Sequence, residues 1–152
     1  MITTLLEDKL EAVIWQATVT DVTDHVLQGV DKLLLDWNEM SQYPRVVIFC
    51  EEVRGMEEQI APRVPQNRSY TVNIMLLCYH TDYDTVILQR DTIVQRIEAA
   101  LISNKRLDSL ADNTTNEKVW NSKVNRVRYS KSGFNQSYQT IAWLELQVDT
   151  ST

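Results

Sequence analysis

His80, Asp82 and Asp84 place one imidazole and two carboxylates in the run His80-Thr81-Asp82-Tyr83-Asp84. Such a donor set could ligate a divalent metal. The same two aspartates sit where a strand ends and a helix begins, a position that itself calls for an acidic cap, and capping is the reading adopted here. Cys50 and Cys78, with His25, are the other soft donors. Zinc sites want four ligands at C-x-x-C or H-x-x-x-H spacing, which this sequence lacks, so both thiols read as small buried hydrophobes. The acidic pairs Glu51-Glu52 and Glu57-Glu58 could do acid–base work in principle. Neighbours on a strand point to opposite sides, however, and the second pair falls in a loop, so solvated charge is expected. No G-x-S-x-G elbow, P-loop or G-x-G-x-x-G turn is present. The expectation is a protein with no catalytic residues, no metal, no cofactor and no enzymatic activity.

A different pattern stands out near the C-terminal end. Lys123, Arg126, Arg128 and Lys131 cluster in one segment, and strand periodicity puts Arg126 and Arg128 on one face, opposite Val127 and Tyr129. Ile141 and Trp143 alternate against Ala142, Leu144, Leu146 and Val148. Large apolar groups on a second sheet face imply that a helix or another chain covers it. The chain as a whole is acidic, with a net charge of −6. That balance disfavours a tight grip on DNA or anionic lipid. The basic strip reads first as solvated charge on a strand face, and next as a surface that pairs with an acidic patch on another subunit.

The elements that must position these groups follow from periodicity. The 152 residues fit one domain, and 43% hydrophobic and 24% charged residues place the chain among globular proteins. The first residues lack a signal-peptide pattern, and no run reaches the roughly 18 apolar residues of a membrane span; synthesis in a cytoplasm with reduced thiols is expected. Residues 4–17 read as an amphipathic helix buried through Leu6, Leu10, Val13, Ile14 and Ala17, with Thr4 and Glu7 as a capping box. Residues 24–40 read as a second helix, although Gly29 within it costs about 1 kcal/mol, which leaves a partly extended segment as the alternative. An apolar strand, 45–51, has both faces covered. Residues 52–69 read as a long irregular loop, followed by a central strand, 70–80, antiparallel to 45–51. A helix from Asp84 to about Ser103 buries Val86, Ile93, Val94, Ile97, Ala100 and Leu101 and leaves Arg90, Gln95, Arg96 and Glu98 in water. Residues 104–118 read as loop. Strands 122–130, with a bulge between Val124 and Val127, and 140–148 end the chain, joined by a turn at Gly133. The fold expected is α+β, an antiparallel or mixed sheet of about four strands flanked by two to three helices in the order α-α-β-β-α-β-β, in a single domain spanning residues 1–152.

From Tyr43 onward the sequence resembles the tail terminator and tail-completion (neck) proteins of tailed bacteriophages. The segments that carry the resemblance are YPRVVIF, RSYTVNIMLLCYHTDYD, TVILQRDTIVQRIEAALIS and the pair NRVRYSKSG and QTIAWLELQV. It implies a structural virion protein that closes into a homo-oligomeric ring, commonly a hexamer. Such a ring caps the tail tube and docks the head-connector proteins, while DNA passes through the lumen without specific binding. It also implies residence in the neck or tail of the virion after synthesis in the host cytoplasm, with no membrane partner. On this reading Arg54, Arg63 and Arg68 are the charged contacts of a partner-binding loop, and Arg126, Arg128, Ile141 and Trp143 form the subunit interface. The alternative is a small non-catalytic adaptor or assembly chaperone that binds one protein partner without closing a ring.

Overall fold

The computed structural model describes residues 2–19, 27–32, 42–55, 67–134 and 137–152. Helix α1 spans Ile2–Val19, and strand β1 spans Gly29–Asp31. Strands β2 (Arg45–Gly55) and β3 (Asn67–His80) follow, then helix α2 (Tyr83–Ser103). The chain ends with a short β4 (Ala111–Asp112) and two long strands, β5 (Glu117–Phe134) and β6 (Ser137–Ser151). The six strands make one curled sheet in the order β1-β2-β3-β6-β5-β4. Among the described residues, only the β1–β2 pair is parallel.

The expected α+β sheet of about four strands with two to three flanking helices is thereby corrected. Among the described residues the chain is mostly β, with six strands and two helices in the order α-β-β-β-α-β-β-β. Two segments account for the difference. Within 24–40 the apolar residues satisfy a helical period, yet Gly29–Asp31 is extended and aligned with Arg45–Val47. Gly29 suits that place, because a Cβ there would press on the Arg45 guanidinium. That guanidinium lies along β1 to grip Asp31, with Nε donating to Oδ2 at 2.9 Å and Nη2 to Oδ1 at 3.1 Å. The rest of 24–40 lies outside the described residues. The second segment is the polar stretch 104–118, where β4 has only two residues, too few for any period to show.

α1 is helical because every fourth residue is apolar or small on one stripe: Ile2, Leu6, Leu10, Ile14 and Thr18 are fully buried. The helix already runs from Ile2, so Thr4 lies inside it and makes no cap. Glu7 instead accepts a hydrogen bond from the Cys50 amide at 3.1 Å. That amide belongs to β2 just before a bulge between Cys50 and Glu52 and beyond the reach of β1, so the carboxylate serves a backbone donor that would otherwise face a bare sheet edge. α2 starts at Asp82, not Asp84: the Asp82 carboxylate accepts from the Thr85 amide at 2.9 Å. The Thr85 hydroxyl and amide hold that carboxyl below its usual range.

Both helices lie on one sheet face. Val86, Ile93, Val94, Ile97 and Leu101 of α2 meet α1 over Ile48, Ile74, Leu76, Ala142, Leu144, Leu146 and Val148; Ala100 is only half-buried. Arg90 does not stay in water. Its side chain is 12% exposed, its Nη1 donates to the Thr140 hydroxyl at 3.1 Å, and its guanidinium lies 4.3 Å over the Tyr129 ring. β6 alternates without interruption from Thr140 to Thr150, each even-numbered residue buried. The bulge expected after Val124 is present between Val124 and Arg126, and a second lies between Val119 and Asn121. The strands continue past Gly133, which pairs with Tyr138, to Phe134 opposite Ser137.

Leu144 stands on β6 between Ile74 and Val127, fully buried, whereas Leu88 on the outer side of α2 is 60% exposed. Leu144→Ala is expected to cost about 3 kcal/mol and Leu88→Ala less than about 0.5 kcal/mol, read as urea midpoints at constant m-value. Equal costs would contradict the placement of the two helices on this face.

Candidate assembly surface

With both helices on one face, the odd-numbered residues of β3 and β6 project from the other. Strand register lines them up in rows. Val47, Met75, Trp143 and Arg128 form one row across β2, β3, β6 and β5, and Phe49, Asn73, Glu145 and Arg126 form the next. Val47, Met75 and Leu77 are buried within the single chain, with Tyr43, Phe49, Ile141 and Trp143 packed against them. The centre of this face is thus already closed, and its open part is the β5 margin.

A chain of directional contacts crosses the face. The Glu51 carboxylate accepts from Asn73 Nδ2 at 2.6 Å, and Asn73 Oδ1 accepts from the Trp143 indole N–H at 2.7 Å. The Arg128 guanidinium lies 4.9 Å from the Trp143 ring centroid, a cation over a π-face. Asn73 is almost wholly buried, so both halves of its amide need partners, and here both have them. One row away, Arg126 forks onto Glu145 Oε2, from Nε at 3.0 Å and from Nη2 at 2.9 Å, while staying 57% exposed. The four residues assigned to a subunit interface from sequence, Arg126, Arg128, Ile141 and Trp143, are therefore brought together on two adjacent strands. Ile141 and Trp143 are half-buried and the two arginines are exposed. Sequence reading missed Asn73 and Glu51, because the Trp143–Asn73 contact depends on how β6 pairs with a strand some 70 residues away and the Asn73–Glu51 contact falls at the β2 bulge. Trp120, an aromatic expected at a strand or loop margin, is the extra residue of the first β5 bulge and is 52% exposed.

The arginines expected in a projecting loop are not gathered in this way. Arg63 lies outside the described residues. Arg54 belongs to the end of β2 and pairs with Ser69, with its side chain outside the described set. Arg68 belongs to β3, not to a loop, and its Nη1 lies 3.9 Å from Glu117 Oε2. Glu117 is buried and also accepts from the Tyr70 hydroxyl at 2.6 Å and the Thr150 hydroxyl at 2.7 Å. This network ties β3, β5 and β6 together at one end of the sheet.

Of the groups considered for metal or thiol chemistry, His80 Nδ1 accepts from the Asp82 amide at 2.9 Å, and Asp82 is engaged with Thr85. Cys50 faces Val72, whereas Cys78 lies beyond Leu77, which faces Arg45; the register sets the two thiols far apart along the ladder. Burial pushes the Cys78 thiol up to about 12. His25 lies outside the described residues. No group of three or more His, Cys, Asp or Glu able to hold a metal ion occurs among the described residues, and no described helix is long and apolar enough to cross a membrane.

Tyr70 gives a test of the buried network. Burial first, and then its bond to the Glu117 carboxylate, push its hydroxyl up to about 12. An unfolded tyrosine loses its proton near pH 10, so the unfolded chain releases this proton first. The contribution of this group should be flat below pH 10 and fall by about 2 kcal/mol between pH 10 and 12, on top of the fall that the buried Cys78 thiol brings from about pH 9 upward. Tyr70→Phe should be less stable at pH 8, because Glu117 loses a donor, and should show a shallower fall across that window. An unchanged alkaline slope would contradict the contact.

No protein-family model matches the sequence, and no curated protein matches it. Among solved structures, one chain from the "Virion of native gene transfer agent (GTA) particle" is similar at 10% identity, with a TM-score of 0.48, covering 92% of this chain and 94% of that one. At that level the likeness is one of outline, and it decides nothing about activity.

Proposed function

We propose that this chain is a structural building block of a phage-like virion, one that closes into a ring, caps a tail tube and joins it to the head connector. It carries out no catalytic step of its own. The observation that carries the reading is the strip across β5 and β6, where Arg126 and Arg128 lie beside Ile141 and Trp143 on a sheet whose other face is committed to α1 and α2. Aromatic and arginine side chains that are partly exposed and held in place by in-chain contacts are the residue types that anchor protein interfaces. The resemblance of residues 43–149 to tail terminator and neck proteins supplies the setting.

In such a ring DNA passes through the lumen unbound. The net charge of −6 suits that role, because a basic lumen would hold phosphates and retard the duplex. The partners are other copies of the chain, a tail-tube protein and head-connector proteins, and the finished assembly resides in the neck of the particle.

Solution mass, measured by light scattering over a range of concentration and salt and repeated with tail tubes, tests the reading. The expected result is a discrete species near six times the 17.7 kDa chain, alone or on the tubes. A species that stays at one or two chain masses in every condition contradicts it and favours a small adaptor that binds a single partner.

A further inference from the structure

Charge is segregated within this chain. β5 carries five cations, Lys118, Lys123, Arg126, Arg128 and Lys131, against the single acid Glu117, so the remainder of a chain with net charge −6 carries −10. Three of the cations are engaged at home: Arg126 with Glu145, Arg128 over the Trp143 ring, and Lys131 with the Tyr83 hydroxyl at 2.7 Å. Lys123 and Arg128 are exposed and have no acidic partner among the described residues. β4 pairs only with Glu117 and Lys118, so beyond them the outer edge of β5 has no strand neighbour among the described residues.

A second surface has the opposite character. Between α1 and β1 lies an open cleft of about 510 Å³ lined by Asp8, Glu11, Ala12, Trp15, Gly29 and Val30. Asp8 and Glu11 remain 51% and 41% exposed, and the Trp15 ring is 42% exposed. Lys32 bridges the two carboxylates and offsets one of their charges, leaving a net negative cleft with an aromatic wall. That combination suits an ammonium or guanidinium, which gains an ion pair and a π-face together.

We propose that the β5 margin of one copy docks against the α1–β1 cleft of the next, with Lys123 and Arg128 as the cations and Asp8, Glu11 and Trp15 as the receiving groups. The proposal rests on the ring reading and deepens it by naming both sides of the contact. Donor and acceptor are different surfaces of the same chain, so the contact is head-to-tail, the class that gives a closed ring where its rotation closes and an open filament where it does not. A second copy is favoured over nucleic acid because the −10 carried by the rest of the chain repels phosphate.

Two variants test this, each checked for unchanged thermal unfolding: Lys123→Glu/Arg128→Glu on the donor side, and Asp8→Lys/Glu11→Lys on the acceptor side. Each alone is expected to assemble more than about tenfold more weakly than the parent at low salt, by sedimentation. Mixed one to one, they restore opposite charges at every contact and are expected to recover the parental mass. If the parent assembles and either variant alone matches it, this contact is wrong while the ring reading stands. Loss of assembly in both variants without recovery in the mixture overturns the pairing of these two surfaces. A parent that remains monomeric throughout removes the ring reading and the contact with it.

Discussion

β3 and β6 lie antiparallel over the whole length of β3, from Asn67 opposite Ser151 to His80 opposite Tyr138, without a bulge. The other strands and both helices are placed by reference to that ladder. Because side chains alternate across a strand, one fixed register assigns every residue of the pair to a face. Val72, Ile74, Leu76 and Cys78 join Ala142, Leu144, Leu146 and Val148 beneath the helices. Asn73 and Met75 are sent with Ile141 and Trp143 to the other side. A slip of one residue would exchange the two sets and place Asn73 in the helix-covered core. The regular ladder is bounded by less regular strands, with bulges in β2 and β5, which bend and twist a sheet.

Much of this was legible in the sequence wherever a period was long and uninterrupted. The alternation from Thr140 to Thr150, the buried stripe of α2 and the bulge after Val124 each leave a pattern in residue type that no other local structure explains as well. The α1 stripe was visible too, though its buried set continues to Ile2 and Thr18 rather than through Val13 and Ala17, which are half-buried. What could not be read was decided by partners distant in the chain. Gly29–Asp31 is a strand because Arg45–Val47 offers it an edge and Arg45 grips Asp31, while its own apolar spacing suits a helix equally well. Glu7 looks like half of a capping box until the Cys50 amide is seen to need an acceptor. Arg90 has the spacing of a solvent-facing residue, but Thr140 and the Tyr129 ring hold it.

The candidate surface shows the same division. Residue type and strand phase were enough to bring Arg126, Arg128, Ile141 and Trp143 together. The contacts that fix them were not: Trp143 is oriented by Asn73, which Glu51 engages in turn, and Arg128 stacks on the oriented ring. A side chain held by in-chain contacts loses less entropy on docking than a free one. The organised margin of β5 is thus prepared for a partner in a way that the isolated exposed leucine and isoleucine of α2, Leu88 and Ile102, are not. Charge segregation adds direction, since a cationic margin on an otherwise acidic chain repels its like and attracts the remainder of a neighbouring copy.

The most direct test of this account is amide hydrogen exchange of the protein across the concentration range in which it assembles. The account predicts that protection appears with assembly in Trp120–Phe134 and in the Asp8–Trp15 stretch of α1, while the outer face of α2 exchanges at the same rate throughout. Protection gained instead along α2, with β5 exchanging alike in the dissociated and assembled protein, would contradict it.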